Sequence, residues 1–566
     1  MHLVDSLGRE PRLSYVVNLH EQACAIAAEA YGQFTNHLGV ALVTTGPGGT
    51  NALTGVAAAW LESTPCIFIS GQVKRDDLKS DRGVRQFGFQ EIDIVSMTQS
   101  VTKYSVTITD PNRILYHLQK AYYLATSGRP GPVWLDIPLD VQGAQVDEKE
   151  LLLFDIKSKA TNPQHLLKPV LRTIELLNSS VRPVVLVGNG VRLARAESKL
   201  ATVLERLNVP VLTTWKALDL FPDNDPLFCG SPGAVGQRGA NFVQQNSDWI
   251  LTLGARLDLG QTGYSHEGFA RSAKKIVVDV DPAEIQKLNT EVSVPVASDV
   301  GDFLEELNRQ SAAIKDVDRR SWLKQCKDWK DKYPVILPEY WSYTDGVSLY
   351  VLVDVLSELL KDGDVIVPGS SGACSEVTMQ AFRIRSHVRV LNSQGLGAMG
   401  FGIPAAIGAC LASGKHPTVC IDGDGGFWMN IQDLETVRRL DLPVKFFVLN
   451  NDGYGSIRAT QNSHFGGALT GAGPDSGLTL PSIRDVCSAF GIQVFRLEHH
   501  TDIRERVRAI LANPGPAVCE VMVSPKQATA PRLSSSRQPD GRMVSRPLED
   551  LAPFLDRKEL KENMLT

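Results

Sequence analysis

Two short blocks, each closing an apolar segment, constrain this chain more than anything else in it. They are Cys420-Ile421-Asp422-Gly423-Asp424-Gly425-Gly426 and Val448-Leu449-Asn450-Asn451-Asp452-Gly453. Between them lie an amphipathic run carrying Ile431, Leu434, Val437 and Leu440 and then the apolar segment Val444 to Leu449. Strand, glycine turn, helix, strand in that order predicts two adjacent parallel strands with both blocks at their carboxyl ends, where open α/β sheets bind ligands. Asp424 offers a carboxylate oxygen, Asn451 an amide oxygen and Gly453 a bare backbone carbonyl. Three such oxygens leave room in an octahedron for phosphate oxygens and a water, the usual way magnesium holds a phosphorylated cofactor. The plainer reading is two glycine turns of an ordinary doubly wound sheet. The first block alone does not separate the two readings; the second block, correctly placed, favours the ligand site.

The 566 residues are enough for several domains of ordinary size. A hydrophobic share of 43% and a charged share of 21% describe a globular chain. A formal net charge of -5 gives no electrostatic case for nucleic acid or an anionic membrane. Nine cysteines stand singly with no C-x-x-C pair, which speaks against a zinc ribbon or a disulfide framework. There is no apolar stretch of membrane-spanning length and no basic-then-apolar leader at the N-terminus. The expectation is a cytoplasmic protein with reduced, buried cysteines.

Strands and helices alternate in three blocks, which predicts parallel sheets throughout. The first, 1–150, holds apolar segments at Gly39 to Thr44, Cys66 to Ser70 and Val133 to Ile137. A polar linker around 155–164 leads to the second, 165–315, which opens on Pro183 to Gly190. A charged stretch, 316–332, bridges to the third, 335–525, and a Ser/Arg/Pro-rich tail, 526–566, could close over a site as a lid.

Further motifs join the first two: His20-Glu21, Gly46-Pro47-Gly48-Gly49-Thr50-Asn51, Phe89-Gln90-Glu91, Gly395-Leu396-Gly397-Ala398-Met399-Gly400 and Phe401-Gly402-Ile403-Pro404. In order and approximate spacing they resemble the thiamine-diphosphate-dependent enzymes, specifically the acetolactate-synthase branch, over nearly the whole chain. The resemblance implies an α/β fold of three doubly wound parallel-sheet domains: pyrimidine-binding, central FAD-type and diphosphate-binding. It also implies that the first helix, strand and glycine turn of the pyrimidine domain are missing before Met1, through a misassigned start or a truncation, the former being favoured.

What the resemblance implies for single residues is specific. Glu21 is the carboxylate that shares a proton with the cofactor's aminopyrimidine. Read locally, Asn18-x-x-Glu21 is also a capping box opening the helix His20 to Tyr31, whose Ala23, Ile26, Ala27, Ala30 and Tyr31 would face inward. Gly46, Gly48 and Asn51 form a tight turn beside the aminopyrimidine, ahead of a helix from Ala52 to Leu61. Gln90 projects above the thiazolium and Phe89 walls it. The Gly397 carbonyl accepts the pyrimidine amine, and Met399 props the cofactor in a bent shape, although a Met in an apolar run is more often plain core. Gly423, Asp424, Gly425, Gly426, Asn451 and Gly453 hold thiamine diphosphate and Mg2+.

In the second block, Gly188-Asn189-Gly190 after a strand is a weak dinucleotide signal alone. With Thr214, Gly254, Ala255, Arg256, Asp258, Asp279, Val280 and Asp299 it matches the positions that line FAD in the acetolactate-synthase branch. The flavin would be structural, the alternative being a relic domain without ligand.

The match fails at the acceptor side. Acetolactate synthases carry a second Arg after their Gly-Ala-Arg-x-Asp motif, where this chain has Gly260. Their acceptor-site Trp aligns with Thr460 and their central-domain Met with Ala234. A wider pocket with no preference for a carboxylate is expected. The implied reaction is decarboxylation of pyruvate and transfer of its two-carbon unit to a bulky ketone, such as a nucleotide-linked 4-keto-deoxysugar in yersiniose-type branching, with Arg85 or Arg458 meeting the acceptor's diphosphate. The alternatives are an acetolactate synthase with an unusual acceptor site, a flavin oxidoreductase resembling pyruvate oxidase, and an inactive cofactor-binding homologue. The resemblance also implies a homodimer or homotetramer with active sites between subunits.

Overall fold

Segments rich in Val, Ile and Leu, bounded by Gly, Pro and Asp, build three parallel sheets in the computed structural model, which describes residues 1–156, 164–370, 372–385, 387–537 and 539–565. The first sheet holds β1 (Gly39–Val43), β2 (Cys66–Gln72), β3 (Tyr104–Thr107) and β4 (Pro132–Pro138), in the order β1-β2-β4-β3. The second holds β5 (Pro183–Val187), β6 (Val211–Thr213), β7 (Trp249–Leu253), β8 (Lys274–Asp279) and β9 (Val294–Ala297), ordered β6-β5-β7-β8-β9. The third holds β10 (Val365–Pro368), β11 (Arg389–Val390), β12 (Thr418–Gly423), β13 (Val444–Asn450), β14 (Gln493–Leu497) and β15 (Ala517–Met522), ordered β11-β10-β12-β13-β15-β14. Every pairing in these sheets is parallel. Helices cover both faces of the central strands: every residue of β4, β5 and β7 is buried. The tail adds an antiparallel hairpin of β16 (Ser535–Arg537) and β17 (Met543–Ser545). The linker expected around 155–164 falls largely outside the described residues. Among the described residues no helix is long and apolar enough to cross a membrane, and the nine cysteines form no disulfide.

Local readings need correction where packing is two-sided. The first-domain helix runs Glu21–Thr35, longer than the expected His20 to Tyr31. It lies between helix Pro47–Glu62 and helix Gly402–Ala412, and the approach is close: a Cβ on Gly408 would sit 2.1 Å from the Ala27 carbonyl oxygen, and one on Gly55 2.5 Å from Ala25 Cβ. Two such faces bury Ala25, Ala28 and even Glu29, while Tyr31, expected inside, is 40% exposed. The capping box does not form. His20 is the N-cap, its Nδ1 accepting from Gln22 N at 3.1 Å, and Asn18 instead donates to Asp433 Oδ1 of the third domain at 3.0 Å. The second helix begins at Pro47 rather than Ala52, because proline at the first helical position is preset for helical φ.

The three domains meet at an ionic junction. Asp219 pairs with Arg192 at 2.5 Å and with Arg389 of the third domain at 2.6 Å, and Arg389 also donates to the Gln33 carbonyl of the first. Burial pushes the Asp219 carboxyl up, but the two guanidiniums outweigh it and hold it at about 2. Lys216 pairs with Glu62 at 2.9 Å and donates to Asn392 O at 2.9 Å, while Glu62 accepts Gly395 N at 2.6 Å. The tail then straps the third domain to the second. Tyr350 Oη and Gln380 Nε2 donate to Ala530 O and Pro531 O, and Asn241 and Arg238 donate to the carbonyls of Leu548, Leu551 and Pro553.

Candidate active site

Parallel register brings the two opening blocks together. Gly423 lies opposite Leu449, so the ends of β12 and β13 share one edge of the third sheet. A short helix, Asp424–Phe427, starts directly at the end of β12 with Gly423 as its N-cap. Asp424 turns back across the strand ends: Oδ1 accepts Gly425 N at 2.8 Å, and Oδ2 accepts Asn451 N at 3.1 Å and Gly453 N at 3.0 Å. Burial pushes this carboxyl up to about 6 against the pull of those three amides. The Asn451 side-chain oxygen is buried with no hydrogen-bond partner. A buried amide oxygen without a donor is costly. Beside a carboxylate, it fits a hard cation held by oxygens.

The remaining third-domain residues gather round this edge. A Cβ on Gly425 would lie 2.5 Å from the Tyr454 ring and 3.2 Å from Met399 Cε, which puts Met399 against the glycine turn. Gly397, at φ 65, has its Cβ position 3.5 Å from Ser370 O at the end of β10. The Ser370 hydroxyl is buried and unpartnered. Gly426 packs on Asp422, whose side chain a Cβ there would meet at 2.8 Å.

The first-domain residues form a separate group. Asn51 Nδ2 donates to Glu21 Oε2 at 3.1 Å across the starts of two helices. Gly46 is required by its φ of 63 and by Gln90, whose carbonyl oxygen would lie 2.3 Å from a Cβ. Gly48 sits inside the helix, closely packed on Thr44. Gln90 is itself at φ 63, held there by Glu91: this buried carboxylate accepts Phe87 N at 2.9 Å, Gly88 N at 3.1 Å and the amide of Lys79. Phe89 is 85% exposed. Within one chain, the hydrogen bonds seen between this domain and the segment after the glycine turn involve Val17, Asn18, Leu19 and Gln22 rather than Glu21.

A cavity of about 870 Å³ opens where the three domains meet, near the top of the range for cofactor pockets. Gly190, Thr214, Gly254, Ala255, Arg256, Asp258, Asp279, Val280 and Asp299 all line it, with Glu62 and Arg129 from the first domain and Gly395 from the third. Gly188 lies behind the wall, where a Cβ would meet Gly254 O at 2.2 Å. Arg256 pairs with Asp258 at 2.8 Å and donates to Leu61 O. Arg129 pairs with Asp281 and Glu284 at 3.1 and 2.6 Å. Burial pushes Asp279 up to about 6. Asp299 caps helix Val300–Arg309 through Gly301 N at 2.7 Å.

Ala234 and Gly260 are neighbours in this wall, with Ala234 N donating to Gly260 O at 2.7 Å. Thr460 sits exposed on helix Gly455–His464, its hydroxyl donating to Ser456 O. On the same helix the Arg458 guanidinium donates to three backbone carbonyls. Sequence reasoning gave no role to Glu62, Tyr454 or Ser370. The partners of Glu62, Lys216 and Gly395, lie so far along the chain that no local pattern marks it.

Comparison with known proteins agrees with this arrangement. The chain matches the thiamine pyrophosphate (diphosphate) enzyme N-terminal TPP-binding domain over residues 1–97, the central domain over 170–307 and the C-terminal TPP-binding domain over 370–521. It is 32% identical to the acetolactate synthase large subunit of Cyanidium caldarium over 526 residues, covering 92% of this chain and 87% of that protein. It is 34% identical to acetolactate synthase 1, chloroplastic, of Zea mays over 547 residues, covering 94% and 83%. Against acetolactate synthase 3, chloroplastic, of Brassica napus it is 32% identical over 545 residues, covering 94% and 81%. The chain belongs to the thiamine-diphosphate-dependent enzymes, in their acetolactate-synthase-like branch.

Proposed function

We propose that this enzyme decarboxylates pyruvate and transfers the two-carbon unit to a bulky ketone, a nucleotide-linked 4-keto-deoxysugar, giving a branched sugar of the yersiniose type. The observation that carries the reading is the Ala234–Gly260 wall. It is small and uncharged, and the nearby Arg256 is engaged by Asp258 and Leu61 O. Held in this way, the Arg256 guanidinium is not free to take the carboxylate of a second keto acid.

Thiamine diphosphate, when bound, supplies a nucleophilic ring carbon and an electron sink for loss of carbon dioxide. Glu21 keeps Oε1 for a shared proton while Asn51 engages Oε2. Gly397 and Met399 orient the cofactor's pyrimidine end, and Phe89 and Gln90 cover the reacting face. Asp424, the orphaned Asn451 Oδ1 and the Gly453 carbonyl are the ligands we assign to Mg2+. The central cavity is assigned to structural FAD, with Asp279 and Arg256 its polar contacts. Glu21 is half-buried beside the exposed Asn51, Phe89 and Gln90, and we read that surface as the contact for a second copy, which makes a homodimer the working unit.

Acetolactate synthesis is the second reading, favoured by the 32–34% identity to acetolactate synthases. The two separate in one assay. Purified protein is given pyruvate, thiamine diphosphate, Mg2+ and FAD, with and without a CDP-4-keto-dideoxyhexose. A two-carbon adduct of the sugar nucleotide with little acetolactate supports the branching transferase. Abundant acetolactate beside untouched sugar replaces it with the synthase.

A further inference from the structure

The loop between β13 and helix Gly455–His464 has an unusual backbone. Asp452 sits at φ 58 and Gly453 at φ 130. A non-glycine residue in the left-handed region persists only where its surroundings over-determine it. Asp424 supplies one side of that constraint by accepting Asn451 N and Gly453 N. The other side comes from one turn further along the chain. Arg458 Nη1 donates to Asn451 O at 3.0 Å, and its Nη2 donates to Asp452 O at 3.0 Å and to Ala472 O at 3.2 Å.

The third contact ties the loop to a returning segment that is itself pinned. Tyr454 N donates to Ala472 O at 3.0 Å, and Ser476 Oγ accepts Ala472 N and Gly473 N at 2.9 and 3.0 Å. Gln461 exchanges two hydrogen bonds with the Thr470 backbone at 3.1 and 3.0 Å. Gly473 leaves room for the guanidinium, since a Cβ there would lie 2.7 Å from Arg458 Nη2. A planar fork with several fixed donors holds three carbonyls on two segments in one set geometry, whereas an ammonium's donors all radiate from a single atom.

We propose that Arg458 is a positioning residue that presets the Asn451–Gly453 loop for the cation, drawing the Asn451 and Asp452 carbonyls away so that the Asn451 side-chain oxygen and the Gly453 carbonyl face the metal. The inference rests on the assignment of this loop to Mg2+. It gives Arg458 no contact with the acceptor or with the reacting atoms.

The test is Mn2+ binding, followed by the electron-paramagnetic-resonance signal of the free ion, to the full chain with thiamine diphosphate present. Wild type, R458M and R458K are compared, and each one's thermal unfolding midpoint is taken without metal. R458M should weaken Mn2+ binding about 10- to 100-fold, the range for loss of a charge-assisted hydrogen bond, with R458K in between. Should R458M not fold, R458K against wild type carries the same comparison. A variant with a lowered midpoint but the wild-type Kd for Mn2+ would overturn the positioning role and leave the metal site standing. Wild type that takes up no Mn2+ would sink the metal site and this inference with it.

Discussion

Gly260→Arg tests the acceptor argument most directly, because the structure has room for the change. Gly260 is not at positive φ, and a Cβ there meets only Asp258 Oδ1, at 3.0 Å, an atom at the end of a side chain that can shift. The Gly260 carbonyl keeps its bond to Ala234 N whatever side chain is attached. A new guanidinium in the cavity wall would give the carboxylate of a second pyruvate its cationic partner. A full charge-assisted hydrogen bond contributes about 1.5–3 kcal/mol, roughly 10- to 100-fold in binding. Asp258 reduces that: its Oδ2 holds Arg256, but its Oδ1 accepts only backbone Gln261 N and would compete for the new group. The expected result is therefore the lower end, about a tenfold rise in acetolactate formation from pyruvate alone at subsaturating concentration. Carbon dioxide released in the first turnover, before any acceptor is bound, should not change, while steady-state release should rise with acetolactate. The assay is acetolactate yield against pyruvate concentration for both proteins, with thiamine diphosphate affinity checked in parallel. Equal acetolactate yields in two proteins that bind the cofactor equally would refute the claim that Gly260 sets acceptor choice.

Three further outcomes follow from packing and charge. Glu29 is fully buried and burial pushes it up to about 7 from 4.5, so between those pH values the folded chain holds a proton that the unfolded chain has lost. Stability should fall by about 3 kcal/mol as pH rises through that window, and Glu29→Gln should flatten the slope; parallel urea titrations for the two proteins would disprove it. Gly425→Ala forces a Cβ against the Tyr454 ring, at 2.5 Å in the present geometry. It should weaken thiamine diphosphate binding at least tenfold, with Tyr454→Ala restoring part of the loss in isothermal titration; no rescue would mean that the two residues do not compete for this space. Gly408→Ala places a methyl 2.1 Å from the Ala27 carbonyl oxygen, an atom of the neighbouring helix backbone that cannot swing aside. About 1–3 kcal/mol should be lost in chemical denaturation, and a change within 0.5 would show that the helices part freely.

Why some of this was readable from sequence and some was not comes down to how far apart the partners lie. The three sheets were legible because each strand is a short apolar run stopped by Gly, Pro or Asp, a pattern complete within a few residues. Asp424, Asn451 and Gly453 were legible for the same reason, since strand–helix–strand geometry alone brings both blocks to one edge. Asn18 was misread as a helix cap because its true partner, Asp433, is 415 residues away, whereas the rival cap lay within three. Tyr31 was misassigned because a helix packed on two sides has no single apolar stripe, and the second side is helix Gly402–Ala412.

The same logic applies to Ala234 and Gly260. Aligned positions report ancestry, not proximity, and only the fold shows that these two share a wall. Arg458 carries the point furthest. In sequence it is one more arginine on a polar helix, available to any anion. One of its three carbonyl acceptors, Ala472 O, becomes visible only once residues 470–473 return across the loop, and together the three make it a brace of that loop. On the proposed reading acceptor choice lies in the Ala234–Gly260 wall, and mutagenesis should start there.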